Sequence, residues 1–147
     1  MKILRALAAI MSGILLYSVV IYVTGYLAAI PIPKEYFLWF GKPHVMLALA
    51  IFDSLVLALP KFLIALFWSV CTLLIFRKHY LLISTCCIVG CVLTQAYWDY
   101  KFDFGFNYVA LFTGQPWTIL NMLAVPCGIY VAGFILYKLR RVDGLMR

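Results

Sequence analysis

Long apolar runs, separated by short polar breaks, organise this chain. The first, Leu4–Ile30, carries no charge from Ala6 onward and ends at Pro31 and Pro33. Proline ends a helix because it lacks the backbone donor and crowds the preceding turn. Residues 31–44 then bring Lys34, Glu35, Trp39, Lys42 and Pro43, a composition suited to a membrane interface. Val45–Leu59 is apolar on every face except at Asp53 and Ser54, and Pro60 and Lys61 interrupt it. Phe62–Phe76 is apolar again and closes on Arg77, Lys78 and His79. Tyr80–Trp98 follows, then a polar and aromatic stretch, then Trp117–Tyr137 and a basic tail.

A bilayer core of about 30 Å needs roughly 20 helical residues. The pattern predicts an all-α polytopic bundle with spans at 4–30, 62–76, 80–98 and 117–137. Val45–Leu59, about 22 Å long as a helix, is expected as an extra apolar half-helix on the outer side, running through a proline kink into the second span. Counting it as a span of its own gives five. That orientation carries Lys2 and Arg5 across, against the usual dominance of the first helix. With four spans, eight of the twelve basic residues gather at the end holding both termini. The positive-inside rule makes that end cytoplasmic, in what the charge bias and small size suggest is a bacterial inner membrane. The N-terminal run exceeds the 7–15 residues of a signal-peptide core and is read as an uncleaved span.

Composition supports this reading. Of 147 residues 67% are apolar and 12% charged, and mean hydropathy is +1.06; soluble domains sit near half apolar and a quarter charged. The net charge of +7 therefore points to anionic lipid headgroups, not nucleic acid, since no basic face remains once the helices are in lipid. The five cysteines all fall inside apolar runs and form no CxxC, which argues against a disulfide framework or redox pair.

Candidate chemistry is sparse. Asp53 with Lys61, two turns on, and Asn121 are the intramembrane polar candidates, because ionisable groups at depth are costly and therefore informative. In Trp98–Tyr108, aromatic residues Trp98, Tyr100, Phe102, Phe104, Phe106 and Tyr108 alternate with Asp99, Lys101, Asp103, Gly105 and Asn107. An extended backbone would put six rings on one face, as an aromatic belt or a surface that docks a partner. Ala9 with Gly13, and the ladder Ala124, Gly128, Ala132, allow close helix approach, within the chain or to a partner subunit. Gln95 and Asn121 can bond between helices. His44 and His79 are expected on opposite membrane sides, so they cannot share a metal or haem or complete a Ser-His-acid set. No phosphate-cradling glycine loop or HExxH occurs. No cofactor or metal is expected.

In size and topology the chain resembles the small four-helix immunity proteins that guard against pore-forming bacteriocins. That resemblance implies a non-enzymatic protein acting on a membrane partner, as would an accessory subunit or a homo-oligomer. Two other classes stay open: a small transporter or lipid-handling protein using Asp53, Lys61 and Asn121, and an interfacial enzyme using Asp99, Asp103 and Lys101.

Overall fold

The computed structural model describes residues 2–76, 79–101 and 116–145. Its helices are α1 (Lys2–Ala28), α2 (Lys34–Phe40), α3 (Val45–Phe52), α4 (Leu59–Phe76), α5 (Tyr80–Lys101) and α6 (Pro116–Leu145). A 3-10 turn, Lys42–His44, leads into α3, and a π-helical segment, Asp53–Ala58, joins α3 to α4. Four stretches are long and apolar enough to cross a membrane: Ile3–Ala28, Val45–Phe76, Tyr80–Trp98 and Ile119–Arg141. The protein is a multi-pass helical membrane protein.

Contacts along the helices fix the arrangement. Gly13 meets Cys87, and Tyr17 bonds Gln95, so α1 and α5 run parallel. Lys61 meets Asn121, and Phe62 meets Gly128, so α4 and α6 run parallel as well. Ser12 pairs with Thr72, and Ser84 meets Gly133, which makes α1 antiparallel to α4 and α5 antiparallel to α6. The result is an up-down-up-down bundle in which the closest neighbours are alternate helices, α1 with α5 and α4 with α6. The first residues of α1, His79 and the last residues of α6 share one end, here the basic end. The α2–α3 hairpin and the last turn of α5 share the other.

Glycine sets both close approaches. A Cβ on Gly13 would collide with the Cys87 carbonyl, and one on Gly90 with the Ile10 carbonyl. On α6, a Cβ at Gly128 would lie 2.7 Å from the Phe62 carbonyl oxygen and 3.0 Å from the Ala65 methyl. Backbones this close gain dispersion contacts that lipid chains cannot supply. The core between the pairs holds Leu16, Val20, Ala65, Cys87, Cys91, Val125 and Ile129. Polar side chains tie the helices together: Trp68 Nε1 donates to Ser12 Oγ at 3.0 Å, Ser12 and Thr72 hydroxyls lie 3.1 Å apart, and Cys91 Sγ donates to the Gly13 carbonyl at 3.3 Å.

Val45–Leu59 runs on into the second span as expected, in one helical stretch of 32 residues with Pro60 inside it. Three details differ from expectation. The irregularity falls just before the proline, in the widened turns of Asp53–Ala58, where the Leu59 N–H bonds the Ser54 carbonyl. The proline ring would crowd the Val56 carbonyl four residues back and offers it no donor; a wider turn relieves that crowding. Secondly, Trp98, Asp99, Tyr100 and Lys101 finish helix α5, so the alternating aromatic pattern is not extended there. Phe102, Phe104, Phe106 and Tyr108 lie outside the described residues. Thirdly, Ala124, Gly128 and Ala132 are buried inside the monomer. Their smallness is used by α4 and the core, which removes them as a surface for a partner.

Candidate intramembrane polar site and docking end

Lys61 lies in the first turn of α4. Its ammonium Nζ donates to Asn121 Oδ1 at 3.5 Å. Asp53 opens the π-helical segment that leads into α4, two turns before Lys61, and that segment packs against α6 and α1. Lys61 and Asn121, two of the three intramembrane polar candidates, are therefore in contact, with Asp53 on the same helical stretch as Lys61. Beside them a cleft of about 240 Å³ opens between α1, α4 and α6, with Lys61, Asn121, Tyr17, Thr24, Gly25 and Met122 on its walls. Tyr17 donates its hydroxyl to Gln95 Oε1, which carries the polar network across to α5. Pro126 leaves the Met122 carbonyl without its usual helical donor.

The grouping makes physical sense in lipid. A lone ammonium at membrane depth is expensive, and an amide oxygen together with a nearby carboxylate offsets that cost. What the set offers a guest is a cation, an amide and a hydroxyl on an otherwise apolar wall.

At the hairpin end the picture differs. Residues of α2 fold back on α3: the Tyr36 hydroxyl donates to the Ala48 carbonyl at 2.8 Å, and the Tyr36 ring packs edge-on against Phe37 and Phe52. Among the described residues, the main packing partners of α3 are α2, the 3-10 turn and the π-helical segment. Ala48 alone is buried, while Met46 and Leu47 are more than half exposed. On α2, Leu38 and Trp39 stand out at 78% and 91% exposure. Tyr97 and Tyr100, on the last turns of α5, are exposed at the same end, and Lys101 lies over the Tyr97 and Trp98 rings.

No protein-family model, curated protein or solved structure matches this chain. The site must therefore be read on its own residues.

The remaining candidates separate. His44 precedes α3 and His79 precedes α5, at opposite ends of a helical stretch about 48 Å long, so they cannot meet. Among the described residues no three His, Cys, Asp or Glu side chains are grouped to hold a metal ion, and all five cysteines are free. Asp103 and the Asp99 side chain, on which an interfacial enzyme would depend, lie outside the described residues. Sequence reasoning missed Tyr17, Thr24 and the glycines Gly90 and Gly133. Gly90 had a signal, since it stands four residues after Cys86 and four before Thr94, a spacing of small residues like that of the α6 ladder.

Proposed function

We propose that this chain is a non-enzymatic membrane protein that docks a second membrane protein through its hairpin end. The observation that carries the proposal is the bare apolar surface of α3. Val45–Phe76 is about 48 Å of helix against a hydrocarbon core of about 30 Å, and it is the least buried of the four candidate spans. Lipid covers the part within the bilayer. The excess length, capped by the exposed Trp39 and Leu38 and flanked by Tyr100, needs another cover, and aromatic anchors of this kind dominate the energetics of protein interfaces. This is the behaviour expected of an accessory subunit or of a protective factor resembling the immunity proteins. The basic end lies in the cytoplasm of a bacterial inner membrane in this reading, because eight of the twelve cations belong to that end.

Photo-crosslinking in native membranes tests it. A photoreactive residue at Leu47 or Trp39 is expected to yield one discrete protein adduct, and one at Phe67, on the lipid-facing side of α4, to yield none. Lipid adducts alone at all three positions would refute the docking proposal.

A second reading rests on the Lys61–Asn121 cleft: passage or holding of a small polar or anionic group between α1, α4 and α6. Under it, Asp53→Asn and Lys61→Met each abolish uptake into proteoliposomes. Under the docking reading they leave the crosslinks at Leu47 and Trp39 unchanged.

A further inference from the structure

The basic end carries a feature that neither reading uses. A groove of about 460 Å³ runs between the start of α5 and the end of α6, with His79, Tyr80, Leu82, Tyr137, Arg140 and Arg141 on its walls. A smaller hollow of about 120 Å³ lies across Leu82 and His79 and is bounded on its far side by Arg5. His79 and Leu82 thus form a ridge with an arginine-lined depression on each side. Neither depression has a carboxylate among its described lining residues.

Three further details bias this place toward an anion. Arg140 is held in position, with its guanidinium 5.7 Å from the centre of the Tyr80 ring and Nη1 donating to the Tyr80 hydroxyl at 3.4 Å. His79 adopts φ 57, the left-handed region that residues other than glycine rarely enter. Its carbonyl accepts the Ile83 N–H at 3.0 Å, which starts α5 abruptly. The first turn of a helix presents unpaired N–H groups and the positive end of the helix dipole, and here residues of that turn, Tyr80, Leu81 and Leu82, line the groove that also holds Arg140 and Arg141. Below the cations the walls are apolar: Leu81, Leu82 and Tyr137, with Leu82 61% exposed.

Cations at the rim, free amides beside them and an apolar channel descending into the bilayer match the shape of one class of ligand. We propose that the groove binds an anionic phospholipid, with its phosphate against Arg140, Arg141 and the first turn of α5 and an acyl chain laid along Leu82. A zwitterionic lipid presents the same phosphate but adds a choline or ethanolamine cation that these arginines repel. A free phosphate would gain nothing from Leu82 and Tyr137. The site stands apart from the hairpin end, so its failure would leave the docking proposal untouched.

Native mass spectrometry of the intact protein, released from nanodiscs of equal phosphatidylglycerol and phosphatidylcholine, gives the test. Retention of phosphatidylglycerol is expected to exceed that of phosphatidylcholine severalfold. Arg140→Gln with Arg141→Gln should remove most of that preference, leaving the two lipids nearly equally retained, since each cation near an anionic lipid surface contributes measurably to its attraction. Lys138→Gln is the matched control. It removes a charge from the same helix, but Lys138 lies over the Phe134 ring, 4.9 Å from its centre, outside the groove, and the preference should persist. Leu82→Glu provides a second arm that spares every arginine, and it should also abolish retention by blocking the acyl path. Equal retention of the two lipids, an effect of Lys138→Gln as large as that of the double arginine variant, or displacement of the lipid by millimolar inorganic phosphate would each overturn the proposal.

Discussion

Helices α3 and α4 belong to one continuous stretch and α3 is the more apolar of the two by composition, yet it is α4 that packs against the bundle. On α4, Ala65, Ser69 and Leu73 are buried at helical spacing against α6, α5 and α1. On α3, Ala48 alone is buried, and only beneath the short α2 clasp. Hydropathy records the transfer of a side chain out of water; it does not distinguish a protein neighbour from a lipid tail. The difference between the halves lies in small residues on the facing helix. Gly128 and Ala132 let α6 settle on α4, and among the described residues no small-residue ladder of that kind packs against α3.

The largest effect should come from removing that fit. Gly128→Leu forces a branched side chain into a space where even a Cβ lies 2.7 Å from the Phe62 carbonyl oxygen. Overpacking of this sort costs about 3 kcal/mol, and here it drives α4 and α6 apart. A matched Leu47→Phe on α3 should leave stability unchanged. Both are measured by chemical unfolding in a fixed detergent. Equal losses at the two positions would mean that α3 is packed after all.

Cavity formation ranks next. Leu73 is 1% exposed and lies in the lower core with Ala9, Ile83 and Ala132. Leu73→Ala should cost about 2–3 kcal/mol, whereas Leu47→Ala should cost less than about 0.5 kcal/mol, as surface substitutions do. The same α3 substitution is expected to weaken the crosslinked complex in membranes, which separates a docking surface from a structural one.

These contrasts mark how far the sequence could be read. Four spans, the shared end of the two termini and the break at Pro31–Pro33 follow from run lengths and proline positions, because bilayer thickness imposes a length on every span. The contact of Lys61 with Asn121 was partly legible, since polar residues in lipid must find partners. Pairing of α1 with α5 was not legible: Gly13 and Gly90 look like any small residues until two backbones are brought together. The helical state of Asp99–Lys101 was missed because alternation of aromatics resembles strand periodicity, while the helix beginning at Tyr80 continues three residues beyond the apolar run. The ladder on α6 was recognised, but whether it faces its own chain or another depends on neighbours that its spacing does not encode.

The polar junction between the two halves should have a smaller effect. Lys61→Met removes an ammonium and its 3.5 Å contact with Asn121. Interhelical hydrogen bonds in membranes average about 0.6 kcal/mol, and a contact this long is at the weak end of normal geometry. A stability change below about 1 kcal/mol is therefore expected in the unfolding assay. A loss of several kcal/mol would show that Lys61 holds α4 to α6 and would make the cleft a structural feature, not a binding one.

Pro60→Ala should change stability least and geometry most. Regaining one backbone hydrogen bond contributes about 1 kcal/mol, offset by whatever packing the widened segment now makes with α1 and α6. If Pro60 is what widens Asp53–Ala58, its removal lets the segment return to α-helical pairing, and one residue of register corresponds to a rotation of about 100°. Helix α3 would then turn relative to α4 and present a different face at the hairpin end. Spin labels at positions 46 and 67, in a background with the native cysteines replaced by serine, should report a changed distance together with weakened crosslinking from Leu47. An unchanged distance would assign the wide turn to packing of Asp53–Ala58 against α1 and α6. The orientation of the bare half would then be set by the bundled half, and the two regions would be mechanically coupled rather than merely joined.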